Sequence, residues 1–281
     1  MSYQQYSPQG FRVLMPVVKN IIIINALMFL ATFSLQRMGI DLVDLFGLRY
    51  FTASEFAPYQ FITYMFMHGG FTHIFFNMFA VWMFGNILEQ VWGPGRFITY
   101  YLITGVGAAL VHYGVMYFEI SPVISQINDY LTNPTNETLL ALGATHSFHL
   151  SPQSGELWPM FQEFRNATGT LQLQPDNMEA RQVTLDFLSA YKSYYLNQPN
   201  VIGASGAVFG ILLAFGMLFP NSLIYIFFAI PIKAKWFVIL YGAIELYAGI
   251  SGSMGSNIAH FAHLGGMIFG FFIIKYWHRR R

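Results

Sequence analysis

The chain has 281 residues, of which 55% are hydrophobic, 18% aromatic and 10% charged, and its formal net charge is +1. An ordinary soluble domain is roughly a quarter charged, so this composition excludes a water-soluble globular protein and points to a bilayer as the solvent. The absence of cysteine excludes disulfides and thiol catalysis, and no cofactor, metal or nucleic-acid partner is expected.

Residues 1–19 read as a segment on the cytoplasmic side. The first charge-free run, Asn20–Gln36, lies between Lys19 and Arg37 and predicts a helix over 20–36, retained as an anchor because no small-residue cleavage site follows it. Phe51–Leu88 is interrupted only by Glu55, and its turn residues confine the helix to 71–88. Phe97–Phe118, between Arg96 and Glu119, predicts a helix over 97–118. Residues 20–118 thus carry three spans, each approaching the ~20 apolar residues needed to cross ~30 Å of hydrocarbon.

Residues 119–198 break that pattern. Six prolines from Pro122 to Pro199 punctuate this stretch and its border, and it holds eight acids against three bases, which reads as an insertion outside the bilayer. Within it, Val183, Phe187, Leu188, Tyr191 and Tyr195 recur at helical spacing, predicting an amphipathic helix over 176–195 that starts near Pro175. Membrane character returns over 199–276. Helices are expected at 203–218, 236–250 and 257–275, the last two joined by a flexible Ser251–Ser256 loop, SGSMGS, before a basic tail at 277–281.

The sum is an all-α membrane protein, a bundle of six transmembrane helices with a large extramembrane insertion between helices 3 and 4. With both termini cytoplasmic, Arg12, Lys19, Arg96, Lys233, Lys235, Lys275 and Arg279–Arg281 lie inside, nine basic residues against five outside (Arg37, Arg49, Arg165, Arg181 and Lys192). That bias satisfies the positive-inside rule.

Ionisable and amide side chains inside a span are costly and demand a reason. The candidates are His68, His73, Asn77, His112, Glu245, His260 and His263. His73 and Asn77 stand four apart, one turn apart on one helix face. Ser205 lies in Gly203-Ala204-Ser205-Gly206; alanine at 207 breaks the G-x-S-x-G elbow of soluble hydrolases. Two stripes of small residues, Gly206, Gly210 and Ala214 on one helix and Ala262, Gly266 and Gly270 on the last, permit close backbone approach. If those stripes face each other, Ser205 meets His263, the arrangement in which a general base activates a serine.

At these residues the sequence resembles the rhomboid family of intramembrane serine proteases. The likeness covers roughly residues 10–118 and 199–276 and leaves out the insertion. It rests on G-x-S-G at Gly203–Gly206, on His263 followed by Gly266 and Gly270, and on His68, His73 and Asn77 within HGGFTHIFFN. The resemblance implies Ser205 as nucleophile and His263 as base. It implies an oxyanion hole from His73, Asn77 and the Ser205 amide, support from His68, and Phe209 as the ring against which the base packs. It also assigns Glu89, in LEQVWGPG, to the organisation of the turn that follows the second helix.

His260 competes for the role of base, but the A-H-x-x-G frame fits His263. No acid is positioned by spacing to orient His263, so the expectation is a Ser-His dyad, with Glu245 and His112 left without assigned partners. The substrates implied are transmembrane proteins with helix-weakening residues near the external face, met within the lipid bilayer. Two other readings compete. A rhomboid-like binder of unstable spans would cut nothing, and a metal or haem protein would use His68, His73, His260 and His263. Substrate identity, oligomeric state and the role of 119–198 are not written in the sequence.

Overall fold

The computed structural model describes residues 14–198, 200–226, 229–251 and 257–279. Most of the predicted N-terminal segment, with Arg12, and also Pro199, the 252–256 part of the SGSMGS loop and Arg280–Arg281 of the tail lie outside the described residues. In chain order the helices are α1 (Pro16–Gln36), α2 (Leu42–Phe46), α3 (Gln60–Thr63), α4 (Phe71–Ala80), α5 (Asn86–Trp92), α6 (Pro94–Thr132), α7 (Asn136–Thr145), α8 (Leu157–Leu173), α9 (Met178–Asn197), α10 (Ser205–Leu218), α11 (Ala234–Ser251) and α12 (Asn257–Arg279). The chain divides into two compact units, one of residues 1–47, 59–112 and 201–281 and the other of residues 48–58 and 113–200.

The first unit is the membrane part of an all-α protein. The spans read from sequence correspond to α1, the Phe71–Trp92 stretch, α6, α10, α11 and α12. Three described helices, Pro16–Gln36, Phe71–Trp92 and Pro94–Thr132, are long and apolar enough to cross a bilayer by length and composition. Their outer faces are apolar: Leu27, Leu30 and Phe76 are each 60% exposed or more. So continuous an apolar surface would drive aggregation in water and is at home in lipid. α10, at 14 residues, rises only about 21 Å, short of the hydrocarbon thickness.

Several boundaries differ from the sequence reading, each for a local reason. α1 starts at Pro16 rather than residue 20, because a proline in the first turn loses no helical hydrogen bond and because other residues supply acceptors. Asn86 Oδ1 accepts from Met15 N–H at 2.9 Å, and the Glu89 carboxylate accepts from Val17 and Val18 N–H at 3.0 and 2.9 Å. Glu89, expected to organise its own turn, is fully buried and closes the N-terminus of α1 with its side chain. Replacing it with alanine leaves one buried and one partly buried amide without acceptors. The expected loss is about 3 kcal/mol of stability, read as a lowered unfolding midpoint in detergent, with Glu89→Gln milder; an unchanged midpoint would rule the cap out.

The second span is not one regular helix. A π-helical turn at Val81–Gly85 separates α4 from α5. Between the helices expected at 203–218 and 236–250, an antiparallel hairpin pairs Leu223–Ile226 with Ile230–Lys233. It follows Phe219–Pro220, where α10 has ended.

α6 runs to Thr132, past the predicted end at 118 and with Pro122 inside it. Proline removes one helical hydrogen bond, yet Met116, Ile120, Val123, Ile127 and Tyr130 are all buried at spacings of three and four. That stripe carries the helix on.

The second unit has its own core. Val123, Ile127 and Tyr130 of α6 pack with Leu139 and Leu142 of α7, Leu157, Phe164 and Leu171 of α8, and Phe187, Leu188 and Tyr191 of α9. The helix predicted over 176–195 is α9, opened by Asn177, whose side chain accepts from Ala180 N–H; α7 and α8 were not anticipated. His146 Nε2 lies 2.7 Å from the Tyr191 hydroxyl, with the Phe148, Tyr191 and Tyr195 rings around it.

Burial first, and neighbouring His149 second, hold the His146 imidazole below its ordinary value of 6.5. The unfolded chain therefore binds the proton more readily than the folded one. Stability from this site is complete above about pH 6.5 and is lost as pH falls toward the folded value. Amide exchange over α9 in the full chain, corrected for intrinsic rates, should lose protection on acidification below that point. His146→Phe should flatten the dependence.

Candidate active site

Ser205 is the first residue of α10. The chain reaches it through Gly203, whose φ of +121° is unsuited to any residue with a Cβ. Gly203 N–H donates to the Tyr64 carbonyl at 2.9 Å, and the Tyr64 hydroxyl donates to the Gly105 carbonyl at 2.8 Å, so the entry is tied to the bundle. A Cβ at 203 would stand 2.7 Å from Cε1 and Nε2 of His73. The glycine thus also makes room for that imidazole against the backbone two residues before Ser205. The amides of Ser205, Gly206 and Ala207 precede the first bond of the turn, Val208 N–H to the Ala204 carbonyl at 3.0 Å, and have no acceptor within the helix.

The close approach read from the small residues occurs at one level. A Cβ on Gly266 of α12 would fall on the Gly206 carbonyl oxygen of α10, and a Cβ on Gly206 would meet Ala108 of α6. Further along, the stripes do not face each other as expected. Gly210 opens toward Thr104 of α6 and Gly270 toward Tyr100 and Thr104, and the Tyr100 hydroxyl donates to the Gly210 carbonyl at 2.8 Å. Below the Gly206/Gly266 contact, α6 packs against the glycines of both helices.

At that contact His263 Nε2 lies 2.9 Å from Ser205 Oγ. The His263 ring stacks on Phe209, centroids 4.2 Å apart and planes within 6°. The stack continues through Phe209–Tyr241 and Tyr241–Phe237 at 5.2 and 5.5 Å. One face of the imidazole is therefore held by a column of rings that crosses from α12 through α10 to α11.

The other ring nitrogen corrects the sequence reading. His263 Nδ1 lies 2.8 Å from Glu245 Oε2, and His260 Nδ1 lies 2.7 Å from the same oxygen. An acid does face His263, contrary to the expectation of a bare dyad, and Glu245 is only 7% exposed. Its spacing from His263 gave no hint, because the two sit on different helices. A signal was present nonetheless: Gly242 and Gly249 flank Glu245 at −3 and +4, the same small-residue stripe that marked α10 and α12. In the structure Gly242 faces Met267, and Gly249 faces Phe261 and His260.

His260, the rival base, is on the Glu245 side and has the more exposed side chain, 33% against 18% for His263. His68 is buried and edge-on to His73, with ring centroids 4.9 Å apart. Asn77 is buried on α4, one turn beyond His73, and His112 is buried in α6.

Among the described residues the trio with metal-ligand spacing is Glu245, His260 and His263, not the four histidines considered from sequence. Its 2.7 and 2.8 Å separations are hydrogen-bond lengths. Ligands tetrahedrally disposed about zinc at 2.0–2.1 Å stand roughly 3.3 Å apart.

Comparison with known proteins agrees with the motifs. The Rhomboid domain model matches residues 55–144 and 183–280, leaving 145–182 inside the second unit unmatched. Rhomboid-like protein 11, chloroplastic, of Arabidopsis thaliana is 36% identical over 96 residues, 34% of this chain and 32% of that protein. Rhomboid protease AarA of Providencia stuartii is 32% identical over 81 residues, 29% of this chain and 27% of that protein. The chain therefore aligns with about a third or less of either relative's length.

Proposed function

Because the chain belongs to the rhomboid family, we propose that it is an intramembrane serine endopeptidase that hydrolyses peptide bonds in or near the transmembrane segments of other membrane proteins. The observation that carries this reading is the 2.9 Å separation of Ser205 Oγ and His263 Nε2 at the start of a short apolar helix. The description of one relative as a protease supports it.

In the proposed reaction Ser205 Oγ attacks the scissile carbonyl carbon while its proton passes to His263 Nε2. The resulting oxyanion is received by the Ser205 amide, His73 and Asn77. Donors fixed beforehand at a helix N-terminus favour developing negative charge without reorganisation. The C–N bond then breaks, and His263 returns its proton to the leaving amine. Water attacks the acyl-enzyme, His263 takes its proton, and Ser205 is regenerated.

A substrate helix engages its carbonyls in its own hydrogen bonds, so it must unwind before attack. The substrates are accordingly spans weakened by Gly or Pro near the external face. We infer an integral protein of a bacterial inner membrane with both termini cytoplasmic, from the charge bias across its spans.

The test uses the full chain in lipid vesicles with a single-span substrate weakened in that way, alongside labelling by a serine-directed fluorophosphonate. Cleavage and labelling by the wild type, both lost in Ser205→Ala, support the reading. A wild type that retains the substrate uncut and unlabelled would make it a non-cleaving binder.

A further inference from the structure

We propose that Glu245 is a positioning residue for His263, so that the site works as an acid-base-nucleophile triad rather than as the two-residue dyad the sequence implies. The proposal rests on the protease reading above and adds to it the means by which His263 is kept in its reactive tautomer.

Its first support is geometric. A carboxylate oxygen accepts, so Nδ1 at 2.8 Å must donate. A neutral imidazole with its proton on Nδ1 presents an unprotonated Nε2 to the Ser205 hydroxyl at 2.9 Å. The carboxylate therefore selects the one neutral tautomer able to take the serine proton, and it faces the positive charge that forms on the ring when it does so.

The second support is the placement of Glu245. On α11 the buried residues are Ala234, Val238, Glu245 and Gly249, while Ile239, Leu240, Ile244, Leu246 and Tyr247 are exposed. The one carboxylate of this helix thus lies on its narrow packed stripe and not on its broad outer face. A carboxylate buried there without a task would be costly.

His260 shares the same oxygen at 2.7 Å. It occupies a second acceptor direction of that oxygen and helps to fix the carboxylate.

A glutamine at 245 can present an N–H to Nδ1 and hold the imidazole in the unreactive tautomer. Glu245→Gln should therefore lower kcat in vesicles by about 10- to 100-fold with KM little changed. That is less than the ~10⁴-fold seen when the acid of a soluble triad is neutralised, because the Phe209 stack continues to orient the ring. Glu245→Asp should restore part of the loss, and Glu245→Ala, which cannot enforce the wrong tautomer, should be less impaired than Glu245→Gln. A purely structural role would order these variants by stability instead.

A measurement on the wild type removes dependence on the variants' folding. With histidines ¹⁵N-labelled and the His263 signals assigned by their loss in His263→Ala, the resting protein should carry the His263 proton on Nδ1, in a low-field hydrogen-bonded resonance. A proton on Nε2 overturns the proposal, as does a Glu245→Gln protein that keeps the wild-type kcat. A wild type that cleaves nothing and takes no fluorophosphonate overturns the protease reading and this proposal with it. Wild-type cleavage with an indifferent Glu245 overturns this proposal alone.

Discussion

Ser205→Ala is expected to lower the rate of substrate cleavage by on the order of 10⁶-fold, His263→Ala by a similar factor, and the double variant by no more than either. In the proposed reaction Ser205 and His263 act as one unit, so once either is gone the other has nothing to do. The bond that makes them a unit is the 2.9 Å contact between Nε2 and Oγ. Time courses under single-turnover conditions, with binding of the uncut substrate measured separately, separate loss of chemistry from loss of affinity. Losses that multiplied in the double variant would mean that the two residues act independently.

Gly266→Ala should lower the cleavage rate by about 10²-fold although it changes no reacting atom. Its methyl group would occupy the space of the Gly206 carbonyl oxygen, with the Gly206 carbonyl carbon 2.7 Å away. Both neighbours are backbone, so no side chain can rotate aside, and α12 must move away from α10. His263 is three residues earlier on the same helix, so its contact with Ser205 opens as the helices part. A misplacement of about 1 Å costs ~10²-fold in rate, and overpacking of this kind costs about 1–3 kcal/mol in stability. Gly114→Ala is the matched control, since a Cβ there meets nothing within 4 Å; it should leave cleavage unchanged and the unfolding midpoint unchanged or slightly raised. Equal behaviour of the two variants would show that the close approach is not needed.

Much of this arrangement is legible in the amino-acid order because hydrocarbon is an unforgiving solvent. Charge-free runs mark where helices cross, and each polar group within them stands out, as His73, Asn77, Ser205 and His263 do. The small-residue stripes told which helices approach closely, but not at which level. Gly210 and Gly270 look identical to Gly206 and Gly266 in sequence, yet they accommodate Tyr100 and Thr104 of a third helix. Pairwise reasoning about two stripes has no place for a third partner.

Glu245 escaped for a related reason. Its meaning depends on the rotational phase of α11 relative to α12, which local spacing does not encode. In the second unit the prolines and acids outweighed a buried stripe that was there to be read. Met116 through Tyr130 keeps helical spacing across Pro122, and the α7 and α8 segments are too polar on their outer faces to announce themselves.

The π-turn at Val81–Gly85 makes one span serve two masters. Before it, α4 carries His73 against the entry to α10 and Asn77 one turn further on; after it, Asn86 and Glu89 reach the first amides of α1. A π-turn rotates the residues beyond it by about one residue's worth, ~100°, relative to a regular helix. Geometrically it behaves as an inserted residue anchored at both ends. Excising it would turn either His73 and Asn77 or the α1 cap out of register, so this wide turn is trapped between two obligations that no single straight helix of this sequence could meet.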